Sequence, residues 1–212
     1  MKHINLSNWN RKEHYLLFSK MKSPFFGITA EVNCTNAYNW TKSNNISFFA
    51  YYLHKSMMAV NSIPEFKYRI IDNEVYELDK INAGATISRN DRTFAFIYVD
   101  YNESFEVFNN ALQEEIRQVH SSVGLRLNND DIKKDLIRHS TIPWSHFTSI
   151  LHPTNFDHSE SVPKITFGGI YKKDGKVFMP VSVEAHHGLM DGSHICEYFA
   201  KFEELLNSLF VK

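Results

Sequence analysis

The chain has 212 residues, 43% of them hydrophobic and 22% charged, a balance that excludes a disordered chain and supports a core without disulfide or metal staples. Lys and Arg total 23 against 24 Asp and Glu, for a formal charge of -1, so no global field directs it to nucleic acid or to an anionic membrane. No apolar run approaches the ~18 residues of a spanning helix and no signal-peptide stretch opens the sequence, so the expectation is one cytoplasmic domain over residues 1–212. Ser7 or Asn8 caps a predicted helix running from near Trp9 to about Lys20. Phe26 to Val32 reads as a strand and Thr35 to Lys42 as a short helix. Ser47 caps a longer helix in which Phe49, Leu53, Met57 and Val60 recur at helical spacing until Ile63-Pro64 ends it. Phe66 to Ile71 and Glu74 to Leu78 flank Asp72-Asn73 as a hairpin, and Gly84 to Ile87 and Thr93 to Tyr101 follow as strands. Ser104 to His120 returns to helical period, with Phe105, Phe108, Leu112, Ile116 and Val119 on one stripe. Asp130 to Ile137 is predicted as a short helix and Phe147 to Leu151 as a strand. Ile165 to Tyr171 and Val177 to Ala185 bracket the hairpin signal Lys173-Asp174-Gly175, and Ile195 to Phe210 is amphipathic. Helices and strands intermix but hairpins dominate, which points to an α/β or α+β fold with a largely antiparallel or mixed sheet. The two cysteines, Cys34 and Cys196, lack paired spacing; they are expected to be reduced and partly buried, and a zinc site of Cys pairs is excluded.

Chemistry concentrates in Glu184-Ala185-His186-His187-Gly188-Leu189-Met190-Asp191-Gly192-Ser193-His194. Alternation along the preceding strand puts His187 on the side of Val181, Val183 and Ala185, and His186 with Ser182 and Glu184. If the Val/Ala side is covered, His187 is desolvated and neutral, as a general base near pH 7 requires. Gly188 and Gly192 are expected to make the tight reversal into the next helix. Other readings compete: a hydrogen-bonded structural histidine, Asp191 as an ordinary N-cap, or a metal on His186, His187, Asp191 and His194. Against a metal, helical ligand motifs use i and i+4 on one face, whereas His186 and His187 point apart.

His186-His187-Gly188-Leu189-Met190-Asp191-Gly192 resembles the HHxxxDG motif of coenzyme-A-dependent acyltransferases, and further blocks resemble the chloramphenicol acetyltransferases in particular. Trp9 to Tyr15 is similar to their WxRKEHF opening, Asn61 to Phe66 to their NxxPEFR segment, and Ser140 to Trp144 to their SAxPW stretch. Phe147-Thr148-Ser149 follows that stretch, and Val177 to Val183 resembles the strand that leads into the histidines. The resemblance implies a two-layer α/β sandwich, a mixed sheet with helices packed on one side, assembled as a homotrimer with its sites at subunit interfaces. It implies acetyl transfer from the co-substrate acetyl-CoA to a hydroxyl of chloramphenicol within a ternary complex, with no metal. His187 would be the general base, Ser140 the oxyanion donor, and Asp191 with Arg11 a structural ion pair. Thr166, Phe18, Phe26 and Trp144 would bind substrate. Two alternatives stay open: the same chemistry on a different small alcohol, or a non-catalytic acyltransferase-like binding protein. The match departs at Ala85-Thr86-Ile87-Ser88-Arg89, where the family commonly has an aromatic strand of the FTVFH type. Small residues and a cation there imply a wider or more polar pocket. The lysine that family members often carry before the tyrosine of Thr166 to Tyr171 is absent, and Met190 replaces a usual Cys.

Overall fold

The computed structural model describes residues 1–127, 133–154 and 159–208. Along the chain run β1 (Lys2–His3), α1 (Lys12–Phe18), β2 (Phe25–Asn33), α2 (Thr35–Ser43), α3 (Phe48–Ser62), β3 (Tyr68–Ile71), β4 (Glu74–Glu77) and β5 (Asn82–Ser88). They are followed by β6 (Phe94–Val99), α4 (Phe105–His120), β7 (Leu136–Ile142), β8 (Lys164–Gly168), β9 (Tyr171–Lys173), β10 (Lys176–His186) and α5 (Gly192–Asn207). Serine hydroxyls start two of the long helices: Ser47 accepts from Ala50 N and Ser104 from Val107 N, caps worth about 1 kcal/mol each. Both predicted hairpins form. Asp72 and Asn73 have φ of 51° and 64°, and Asp174 and Gly175 have φ of 51° and 74°, the left-handed pair that a two-residue turn between twisted strands demands.

A seven-stranded mixed sheet has the order β2-β10-β8-β7-β5-β6, with β9 paired to β10. β10 is antiparallel to β2 and β8, β8 to β7 to β5 are parallel, and β5 to β6 is antiparallel. Period two separates its faces. Val181, Val183, Ala185, Ile165, Phe167, Ile137, Ala83 and Ala85 face one way and join the core with the buried residues of α3 and α5. α3 is buried nearly all round, as a central helix must be. The opposite face carries Thr29, Ser182, Glu184, Lys164, Thr166, Arg138 and Ser140, in register across four strands. A small sheet of order β1-β4-β3 lies beside this domain. From it the fully buried Arg69 donates to the carbonyls of Phe66, Tyr68, Lys134 and Leu136, tying the entry of β7 to β3; burial lowers its pKa to about 9.

Several local expectations are corrected. The first helix starts at Lys12, after a short 3-10 turn at Leu6–Asn8, and Arg11 is its N-cap. Arg11 cannot cap with a side-chain oxygen; its guanidinium is engaged elsewhere. The segment expected as a helix over 130–137 forms no helix where it is described: 133–135 are irregular and Leu136 opens β7; residues 130–132 lie outside the described residues. Phe147 to Leu151 forms no strand; the segment packs against the middle of the sheet, with Phe147 beside Gly168 and the following His152 on Thr166 and Glu184. Cys34 is buried, and burial pushes its thiol up to about 12, but Cys196 is exposed on α5. Among the described residues no helix is long and apolar enough to cross a membrane.

Candidate active site

β10 ends at His186, so the alternation that aims Val181, Val183 and Ala185 at the core stops one residue before His187. His186 is the fully buried member of the pair; burial lowers its pKa to about 4, and its Nδ1 accepts from Gly188 N at 3.1 Å. That packing explains Gly188, where a Cβ would stand 2.9 Å from His186 Cε1. Gly192 is different: its Cβ position meets only Ile28 Cδ1 at an ordinary 3.5 Å, and neither glycine has positive φ. The reversal therefore rests on hydrogen bonds, Leu189 N and Met190 N donating to His186 O at 2.9 and 3.2 Å and His187 N to Pro24 O at 2.8 Å.

His187 is half-buried, contrary to the expectation of a covered residue. Its ring is stacked between Phe18, at 4.1 Å and 17°, and Phe26, at 4.2 Å and 29°. Phe18 closes α1 and Phe26 faces Ala185 across β2 and β10. Nδ1 lies 3.2 Å from Met190 O. A carbonyl only accepts, so Nδ1 carries a hydrogen, and of the two neutral tautomers this bond selects the one whose Nε2 is the acceptor. That nitrogen has no hydrogen-bond partner among the described residues.

Beneath the reversal, Arg11 Nη1 donates to Asp191 Oδ2 at 2.7 Å and Nη2 to His187 O at 3.1 Å. One guanidinium thus joins both ends of the loop. Asp191 Oδ1 accepts from Ser193 N and Ser193 Oγ, and Asp191 N donates to His194 Nδ1, which completes a capping box at the start of α5. The Ser193 hydroxyl and then Arg11 hold the Asp191 carboxyl far below the usual range. The Nδ1 atoms of the three histidines are each engaged within the loop, that of His186 by Gly188 N, of His187 by Met190 O, and of His194 by Asp191 N.

Ser140 is elsewhere. It lies on β7 in register with Thr166, which is in register with Ser182, so it sits two strands and five residues from His187, roughly 19 Å away at ordinary strand spacing. Its hydroxyl has no partner among the described residues and lines a cleft of about 1260 Å³. Tyr52, Phe49, Thr86, Arg138, Trp144 and His152 share the lining; His187, Phe18 and Phe26 do not. Trp144 is 80% exposed in the turn after β7. Thr166 is buried, its Oγ1 3.0 Å from His152 Nε2, while His152 Nδ1 pairs with Glu184. Sequence reasoning missed His152, Lys164 and Arg138; alternation along β7 puts Arg138 with Ser140 and along β8 puts Lys164 with Thr166, and was the available signal. Arg89 brings no cation to the cleft, since it donates to Val119 O and Ser122 Oγ at the end of α4, whereas Ala85 to Ser88 do line it.

One chain thus holds a clamped imidazole and, separately, a cleft lined by the Ser140 hydroxyl. The family profile of chloramphenicol acetyltransferase matches residues 1–203. A chloramphenicol acetyltransferase of Proteus mirabilis is 27% identical over 198 residues, covering 91% of this chain and 88% of its own. One of Clostridium perfringens is 26% identical over 207 residues, covering 97% and 98%. A solved chloramphenicol acetyltransferase structure superposes with a TM-score of 0.91 at 29% identity, covering 97% of this chain and 99% of its own. A probable dihydrolipoamide acetyltransferase from Listeria monocytogenes shares the fold, with a TM-score of 0.69 at 14% identity. The chain belongs to the chloramphenicol acetyltransferase family of acyltransferase enzymes.

Proposed function

We infer that the protein transfers acetyl from acetyl-CoA to a hydroxyl of a small alcohol, with His187 as general base. The observation that carries this reading is the clamped ring, Nδ1 on Met190 O and Nε2 open. Nε2 takes the hydroxyl proton as the oxygen attacks the thioester carbonyl, a tetrahedral oxyanion forms, and its collapse breaks the C–S bond. The proton on Nε2 then passes to the departing thiolate, so no acyl-enzyme is needed. Ser140 Oγ would donate to the oxyanion, a contribution of roughly 3–4 kcal/mol in comparable donor deletions. Arg11 and Asp191 hold the loop that carries His187 and therefore its orientation. Thr166 and Trp144 belong to the substrate side, and Phe18 and Phe26 serve the base directly.

Because base and oxyanion donor lie apart within one chain, the reading requires the site to form between copies, as in a homotrimer with His187 of one chain over the Ser140 cleft of the next. Relatives named for chloramphenicol make it the first acceptor to test. A different small alcohol is the second reading, favoured by the small residues of β5 and by Arg138 and Lys164 in the cleft lining. Thiol release from acetyl-CoA with chloramphenicol and a panel of alcohols separates the two. Turnover of another alcohol without chloramphenicol would discard the first, and silence toward every alcohol would discard acetyl transfer itself.

A further inference from the structure

The polar face of the sheet is arranged in two cross-strand rows. Thr29, Ser182, Thr166 and Ser140 form a row of hydroxyls, and Glu184, Lys164 and Arg138 form a row of charges two residues along, a separation of ~7 Å. Lys164 and Arg138 are direct register partners on parallel strands, and both line the cleft with Ser140. Like charges placed opposite each other repel. The nearby acids turn inward: Glu160 accepts from Arg138 Nη1 at 2.9 Å and from Val162 N at 3.1 Å, Glu184 is bound by His152, and neither acid lines the cleft. Both cations keep donor capacity, although the Lys164 ammonium also lies 5.3 Å from the Phe25 ring centroid. Lys164 Nζ spends two N–H groups, on Pro153 O at 2.9 Å and Thr154 Oγ1 at 2.7 Å, and Arg138 one, on Glu160, of three and five available. An apolar body seated on these groups would strip water from them without replacing it, whereas an anion would regain charge-assisted and bidentate bonds.

We propose that the acceptor is an anionic alcohol, whose carboxylate or phosphate rests on Arg138 and Lys164 while its hydroxyl lies beside Ser140, ~7 Å along the sheet. The proposal rests on acetyl transfer occurring at Ser140. The phosphates of acetyl-CoA are not the anion meant, because the whole pantetheine arm separates them from the thioester carbonyl that must reach Ser140.

The test is steady-state thiol release by the full-length protein with short ω-hydroxycarboxylates, monophosphates of small diols, the methyl esters of the acids, and chloramphenicol. The wild type should favour the acids or monophosphates over neutral acceptors by roughly 10- to 100-fold in kcat/KM, the worth of a hydrogen bond to a charged group. Arg138→Gln should raise KM for the anionic acceptors by a similar factor, leave KM for acetyl-CoA and the esters within about 2-fold, and Arg138→Lys should restore part of the loss. Preference for esters or chloramphenicol overturns the proposal, and so does an Arg138→Gln effect shared equally by acids and esters. If no alcohol turns over, acetyl transfer fails, and calorimetric titration with the same acids and esters still judges the cleft. Binding of acids alone supports the anion site; equal binding, or none, overturns it.

Discussion

Just past the end of β10 the imidazole of His187 is pinned by two phenyl rings and a carbonyl, with Nε2 left open among the described residues. On β7 the Ser140 hydroxyl, without a partner among the described residues, lines a wide cleft among charged side chains that an occupant would have to match. The first region has its geometry complete within one chain, and each stacked pair is worth about 0.5–1.5 kcal/mol. The second acquires its geometry from what enters. The contrast suits a reaction in which proton transfer must not vary while the acceptor can, and the predictions attack each half in turn.

The largest effect belongs to the rigid half. His187→Ala should lower turnover by about 10⁴-fold, the upper end for a general base, with oligomeric state unchanged by light scattering. A loss of less than about 10-fold would remove His187 from that role. Ser140→Ala should cost roughly 10²–10³ in kcat with little change in KM for acetyl-CoA. Mixing the two inactive variants tests where the halves meet. If the site forms between copies, hetero-oligomers reassembled from equal amounts should recover roughly a quarter of the wild-type sites, since each needs one intact His187 and one intact Ser140. Activity no greater than the sum of the separate variants would place both groups in one chain's site.

The contrast also marks how far the sequence could be read. Around His187 much was legible, because the motif is contiguous and period two holds along β10 up to His186. The alternation still mislabelled the buried histidine, since a strand's period ends where its pairing ends. The roles of Gly188 and Gly192 were not separable by spacing, because only contact with His186 distinguishes them. Away from both regions, the hairpins at Asp72-Asn73 and Asp174-Gly175 were legible from local turn chemistry. The juxtaposition of Lys164 with Arg138 was not, because it depends on parallel pairing of strands separated by a crossover. Nor was His152, whose position on Thr166 and Glu184 follows from a segment that forms no strand.

The smallest effect isolates the Arg11–Asp191 pair from the helix cap that Asp191 also supplies. Asn caps as well as Asp does, so Asp191→Asn keeps the start of α5 while removing the charge that faces Arg11. The Arg11 side chain is 8% exposed and that of Asp191 33%. The loss should therefore fall below the 3–5 kcal/mol of a fully buried broken pair, at about 1–2 kcal/mol by urea denaturation near pH 7. The pH dependence gives the sign. A carboxyl held below its ordinary value of 3.8 stabilises the fold fully above that pH and loses the contribution as pH falls toward its folded-state value. The gap between wild type and Asp191→Asn should thus be constant from neutral pH down to about 5 and shrink below about 4. A gap that does not change with pH would mean that the loop is held by the amide-compatible bonds to Ser193 alone, and that the guanidinium steadies His187 through its carbonyl without help from the charge on Asp191.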